Sequence, residues 1–334
     1  MADLFANNIK TDNVVTKNVS TTTLGLAGRT GTSYGSSYVG DLLGSGPPGQ
    51  IEYRTPGTFT FVVPSETYSV SAVCIGAGGS GGYTWANSAG GGGATAWANN
   101  IPVTPGQSIT INVGEGAGTG SNGLSTGGTS SLSGFFGAAG GAQAPGTNRA
   151  VPISGSVAAS GGKGGGTYST NWQGGGGGAG GYTGDGGDGN YGTSLGPNGG
   201  SGSGGGAAGG FGYQSSTYGF GGGGGVDLYG EGTSGTQQAS SYNSQWGNTW
   251  SYVNSTTPHA GGQGGSGGEF GSPNSNGSQT FYGRTTYHGE GGRCGGGGAG
   301  PGTSQSGNGN FCKGAHGGVR IIWGPGRSFP SNAK

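Results

Sequence analysis

The chain has 334 residues, of which 94 are glycine, and only 28% are hydrophobic. So few apolar side chains cannot fill a conventional core along the whole length. Twelve basic residues balance 12 acidic ones and charge makes up 7% of the chain, which excludes both the self-repelling, highly charged type of disordered protein and the basic excess that draws a chain to nucleic acid or anionic lipid.

The first region is Met1–Leu26. Its apolar residues Leu4, Ile9, Val14, Val19 and Leu24 fall five apart. Five fits neither the helix nor the strand period. It is the winding period of pentapeptide-type β-solenoids, whose coils need neighbours to bury their core. The pentads make about one coil, which is unstable alone. The region is therefore expected to be a short β-solenoid-like docking segment, ordered on a partner or in a homo-oligomer; a frayed Asn/Thr-rich arm is the other reading. No basic flank followed by an apolar run marks a secretory signal here, and no run of about 18 apolar residues predicts a membrane span. Residues 27–50 read as a linker rich in Gly and Ser, with Pro47-Pro48.

Residues 51–139 carry the clear strand signals. Thr58–Val63 alternates and Tyr68–Ile75 follows a Pro-led turn. Ala94–Ala98 and Ser108–Val113 are expected strands, with weaker candidates at Thr129–Leu132 and Gly134–Ala138. Short strands between Pro/Gly turns predict a small antiparallel β unit. The apolar run Val319–Trp323 would be an unpaired edge on its own, so it is expected to return to this sheet and close it. Residues 324–334 follow as a C-terminal tail.

In residues 140–318 glycine runs recur, at Gly161–Gly166, Gly174–Gly178, Gly204–Gly206, Gly221–Gly225 and Gly295–Gly298. A flexible linker is the plainest reading. Against it stand the aromatic residues between the runs, the recurrence of the runs, and the apolar strand that must be held at their end. Collagen is excluded because glycine keeps no strict every-third register. The expectation is a bundle of packed polyglycine II helices. Each has about three residues per turn and a rise of ~3.1 Å, and each bonds through its backbone to neighbouring rods. The expected fold class is thus mainly β and irregular: a small antiparallel β unit, packed polyglycine II helices with aromatic loops, and the N-terminal pentad segment.

The segments Thr58–Gly82 and Asn100–Gly116, with the ending Gly314–Pro330, resemble a glycine-rich domain of phage structural proteins. The ending is similar to tail-fibre-type proteins of marine and cyanobacterial phages. The wider arrangement is similar to the glycine-lattice adhesins at the tips of long tail fibres. The resemblance implies a virion protein on the particle surface, tail fibre first, assembled in the host cytoplasm and often binding the host surface. The pentad start differs from a free-standing tip adhesin and implies attachment to other virion proteins through the N-terminus.

Chemistry-bearing motifs are few. GxGxxG patterns arise by chance at this glycine frequency, and none follows a strand and opens a helix. Gly184–Gly192 is similar to calcium-binding glycine-aspartate repeats, yet it occurs once, where such sites need stacked copies. Asp185 and Asp188 are expected to bond their own backbone instead. His288, Cys294, Cys312 and His316 could complete a tetrahedral zinc site. A Cys294–Cys312 disulfide and unlinked thiols are the alternatives. The carboxylates Glu269 and Glu290, or Asp227 and Glu231, could pair, but isolated solvated groups are expected. With three histidines in no catalytic motif, no enzyme and no cofactor are expected.

The aromatic stretches carry the functional expectation. Trp172, Tyr213, Tyr218, Tyr242, Trp246, Trp250 and Tyr252 sit among Ser, Asn, Gln and Gly. Such loops combine rigid ring contact with adaptable hydrogen bonding. They suit a host-surface glycan or outer-membrane protein; the other reading has the rings capping the rod ends. The expected function is a tail-fibre adhesin, and a homo-oligomer, with a trimer as the candidate state, is expected because one coil is too short alone. The alternative is a purely structural virion component, such as a capsid decoration or fibre-connector protein.

Overall fold

The computed structural model describes residues 47–82, 89–118, 125–167, 174–189, 199–210, 221–236, 264–269, 271, 278–281, 284–287, 290–299, 312–331 and 333. The pentad segment, with Leu4, Ile9, Val14, Val19 and Leu24, lies outside these residues, as does most of the 27–50 stretch.

The described residues are mainly β and irregular, without α-helix. Two antiparallel sheets face each other. The first runs β1 (Gly49–Tyr53), β11 (Gly318–Trp323), β3 (Ser69–Ile75), β4 (Thr95–Pro102). The second runs β2 (Gly57–Val62), β5 (Ser108–Val113), β6 (Ser130–Leu132), β7 (Phe136–Ala138), β8 (Pro152–Ser154). A separate hairpin pairs β9 (Ser278–Phe281) with β10 (Arg284–Tyr287).

The single expected β unit is therefore a two-sheet sandwich, and the expected linker ends earlier than Gln50, because Gly49 and Gln50 pair with Trp323 and Ile322. The strand from the far end of the chain lies between β1 and β3, with Ile321 opposite both Ile51 and Ala72.

The residue pattern explains the layering. Along β3, Val70, Ala72 and Cys74 face the second sheet and join Phe61, Ile109, Ile111, Leu132, Phe136, Val319 and Ile321 in the sandwich core. The alternate residues Val73 and Ile75, with Ile322 of β11, face a second core formed with Ala179, Tyr182, Ala207, Val226, Leu228 and Phe329. The first sheet is covered on both faces, so its central strands carry apolar residues on both sides, interrupted by Ser71 and Arg320. The second sheet is covered on one face, so β2 and β5 alternate between buried and exposed residues.

The glycine segments grow directly out of the strands. Gly76 follows β3, Ala94 precedes β4, Gly114 follows β5, Thr129 precedes β6, Ala139 follows β7 and Gly317 precedes β11. The boundary expected at 139/140 therefore separates no two bodies: segments from both sides of it interleave. From Gly76 to Gly78, three successive amides donate to three different neighbours, Ala94 O, Gly128 O and Ala315 O, at 2.9, 3.0 and 2.8 Å. The next three return to the same neighbours in the same order, at Gly91 O, Ser125 O and Cys312 O. The segment from Gly176 to Gly181 repeats the pattern with Gly221, Gly90 and Gly187, then Gly224, Gly93 and Gly184. Neighbours run both parallel and antiparallel in these sets.

Close approach is what demands glycine here. A Cβ on Gly78 would fall on Gly296 O, and one on Gly223 would fall on Gly177 O. Backbone, not side chain, fills this layer, and its amides find carbonyl partners as buried backbone must. Alanine stands where a methyl reaches a core, as Ala179 and Ala207 do. The C-terminal tail is anchored in turn. Phe329 and Ala333 are buried, Phe329 stacks on Tyr182 at 6.0 Å, and Asn99 bonds both the N–H and the C=O of Phe329.

Candidate functional site

The glycine layer has two ends, one against the sandwich and one away from it. The described residues flanking 83–88, 119–124, 168–173, 190–198, 211–220 and 300–311 bond to one another at this far end. Gly81 N donates to Cys312 O at 3.0 Å, and Gly146 N donates to Ala89 O at 3.1 Å. Thr167 N donates to Gly146 O, Gly200 N to Asp188 O, and Gly176 N to Gly221 O.

Side chains fix these bases. Ser125 N donates to Ser80 Oγ at 2.8 Å and Gly118 N to Ser125 Oγ at 3.0 Å. Thr167 Oγ1 donates to Ala89 O at 3.1 Å. A short hydroxyl side chain beside a turn can satisfy amides that the backbone pairing leaves over.

The seven aromatic candidates, Trp172, Tyr213, Tyr218, Tyr242, Trp246, Trp250 and Tyr252, all lie outside the described residues. Their flanks nonetheless divide them. Trp172 belongs to a stretch bounded by Thr167 and Gly174, and Tyr213 and Tyr218 to one bounded by Gly210 and Gly221, all at the far end. Tyr242, Trp246, Trp250 and Tyr252 lie between Gly235 and Gly265. Those two bond Gly206 and Gly225, each of which directly precedes a residue of the second core beside the sandwich.

The aspartates of the GDGGDG motif are not calcium ligands in waiting, and they do not bond their own backbone. Asp185 Oδ1 accepts from Lys163 N at 2.8 Å and Asp188 Oδ1 from Gly166 N at 2.7 Å, across to a neighbouring segment. Their remaining oxygens accept from the two ends of Arg149, at 3.2 and 2.6 Å. The guanidinium occupies the place between the two carboxylates that a cation would take. Sequence spacing could not reveal it, because Arg149 lies in another segment.

The candidate zinc residues are not brought together as a site. Cys294 lies in the second core, whereas Cys312 packs with Ala299, and both are free thiols, so the disulfide alternative is not formed. His316 Nδ1 accepts from Gly116 N at 2.9 Å. His288 is outside the described residues, among which no group of three or more His, Cys, Asp or Glu could hold a metal. Burial pushes the thiols up to about 12 for Cys74, 11 for Cys294 and 12 for Cys312. Nucleophilic thiolates are thereby disfavoured.

Of the carboxylates considered for pairing, Asp227, Glu231 and Glu269 each bond a partner of another kind. Asp227 Oδ1 accepts from Arg54 Nη2 at 2.7 Å, while Glu231 Oε1 accepts from Thr183 Oγ1 at 2.9 Å. Glu269 pairs with Arg293 at 3.5 Å and Glu290 is buried.

The charged residue that sequence reasoning passed over is Arg320, in the middle of β11 and only 1% exposed. Nη1 donates to Leu228 O at 3.1 Å and Nη2 to Ala333 O at 2.6 Å, with Gln50 Oε1 as a further acceptor. The Tyr229 ring lies 4.3 Å from its guanidinium carbon. Burial lowers its pKa, with the like charge of Arg327 adding to the effect. Arg320 thus ties β1, the 227–230 turn and the C-terminal tail to one strand.

No protein-family model and no curated protein matches the chain. Among the described residues no helix is long and apolar enough to cross a membrane.

Proposed function

We propose that this chain is a phage virion structural protein, a tail-fibre adhesin. It binds a host-surface glycan or outer-membrane protein through aromatic loops on a glycine scaffold. One observation carries the reading: the bases of the stretches holding Trp172, Tyr213 and Tyr218 converge at the end of the glycine layer farthest from the sandwich. A rigid body that gathers Tyr, Trp, Ser and Asn stretches at one end is built for contact.

The scaffold itself is a bundle of polyglycine II rods. The return of each donor direction after three residues supports this, since that helix has about three residues per turn. So does the absence of room for a Cβ between segments. Residues 1–26 dock the chain onto other virion proteins as a solenoid-like coil shared in a homo-oligomer, assembled in the host cytoplasm. The role proposed is binding; Asp185, Asp188 and Asp227 are paired with arginine, Glu231 accepts from Thr183 and the three cysteines are buried.

Gold-labelled antibody against this chain, applied to intact phage particles, tests the reading. Label at the fibre ends, with adsorption blocked by the antibody, is the expected result. Label on the capsid or at a fibre joint, with adsorption intact, replaces it by the structural alternative, a capsid decoration or fibre-connector subunit.

A further inference from the structure

The exposed face of the second sheet offers a site of a different kind, away from the aromatic stretches. Its register places Thr58, Asn112 and Ser131 in one row. Thr60 and Thr110 stand opposite each other in the next, and Ser133 N donates to Thr110 O at 2.9 Å. The first row runs on through Gly137 to Ile153. Gly137 has no side chain, so a shallow groove opens over its backbone. Thr129, Ser131, Ser133, Phe135 and Ile153 line it, and none of the lining residues is charged. Ile153 is 41% exposed, which an isolated edge residue needs no ligand to explain, but here it forms the wall opposite the serines.

Hydrogen-bond direction gives the groove a chemical polarity. Asn112 Nδ2 donates to Ser131 Oγ at 3.2 Å and to Ser133 Oγ at 2.9 Å. Its Oδ1 accepts from Thr58 Oγ1 at 3.0 Å. Both amide hydrogens are used on the serine oxygens, so each serine hydroxyl keeps its own hydrogen to donate. Two oriented donors on one wall face an apolar side chain on the other. A sugar ring matches this arrangement: its oxygens accept from the serines while its C–H face lies on Ile153 and Phe135. A carboxylate or phosphate does not, because it would lose hydration with no cation in the lining to offset the loss.

We propose that this groove is a subsite for a neutral hexose of an oligosaccharide. The proposal does not depend on the aromatic stretches and stands or falls apart from the adhesin reading. The test is NMR on the full chain with the methyl glycosides of glucose, galactose and mannose, and with N-acetylneuraminic acid as the charged comparison. At least one neutral glycoside shifts the amides of Ser133, Gly137 and Ile153. In Ser133→Ala/Ile153→Ser, which alters only side chains on the open face, its affinity drops at least about tenfold, the loss of one hydrogen bond and one apolar contact. Trp246→Ala leaves it unchanged. No shift with any neutral glycoside, shifts confined to other residues, tighter binding of the acid, or full affinity in the double variant overturns the proposal. The wild-type shifts decide it even if the double variant does not fold.

Discussion

Replacing Gly177 by alanine probes the glycine layer at its centre. Gly177 N donates to Gly90 O at 3.0 Å and Gly177 O accepts from Gly297 N at 2.9 Å. A Cβ there would fall on Gly165 O and lie 2.8 Å from Gly92 N. Those two atoms are the ends of one hydrogen bond of 2.9 Å, so the methyl would be driven into it. Separating them leaves a buried donor and acceptor short of a partner, at about 1–3 kcal/mol each. Overpacking adds about 1–3 kcal/mol. The reduced freedom of the unfolded chain returns less than about 1 kcal/mol. The net loss is about 2–8 kcal/mol, a large part of the roughly 5–15 kcal/mol that holds a domain folded. Gly106→Ala is the control. It has φ +78° and nothing within 4 Å of an added Cβ, so only backbone strain of about 1–2 kcal/mol applies. Urea unfolding followed by tryptophan fluorescence measures both. A Gly177→Ala protein as stable as Gly106→Ala would refute the close-packed reading.

Arg320→Met should cost about 3 kcal/mol or more in the same assay, because Leu228 O and Ala333 O lose their donor inside the protein; Arg320→Lys should not restore it, since one ammonium cannot span both carbonyls under the Tyr229 ring. The buried thiols set an alkaline limit. Their folded pKa values, about 11–12, lie above the ordinary 9.0. Their contribution is whole below pH 9 and is lost as the pH rises through 11–12, by up to about 1.4 kcal/mol per pH unit for each thiol. The urea midpoint of the wild type should therefore fall faster above pH 9 than that of a Cys74→Ala/Cys294→Ala/Cys312→Ala protein; equal slopes would contradict this. On the adhesin reading, Trp172→Ala with Tyr213→Ala and Tyr218→Ala should abolish host-cell adsorption by assembled phage while the urea midpoint holds. Trp246→Ala, Trp250→Ala and Tyr252→Ala test the stretch anchored near the sandwich, and adsorption unchanged in both sets would defeat that reading.

The sandwich was legible where side chains alternate. Thr58–Val63, Ser108–Val113 and the returning Val319–Trp323 each lie within one residue of an observed strand. β1 and β8 were missed for a physical reason. Gly49–Tyr53 begins in a Pro/Gly/Ser context that reads as linker, and Pro152–Ser154 is a three-residue edge strand led by proline. The second sheet went unseen because sequence patterns give strands and not their partners. The glycine layer was legible as a composition but not as an arrangement. Most of its bonds join backbone to backbone, so residue type seldom marks which segments meet. The same limit hid Arg149 between Asp185 and Asp188, and Arg320 beneath Tyr229. Arg320 did leave a trace, as the one charge in an otherwise apolar strand. A charge at such a position signals a buried polar junction.

Amide hydrogen exchange tests the packed glycine scaffold most directly. The amides of Gly79, Gly91, Gly92, Gly177 and Gly223 each donate to a carbonyl of a neighbouring segment. They should exchange as slowly as those of Val73 and Ile321 in the sandwich, because opening one segment requires its neighbours to separate. Exchange of these glycine amides at the rate of an open chain, while Val73 and Ile321 stay protected, would contradict the scaffold and leave the glycine runs as linkers.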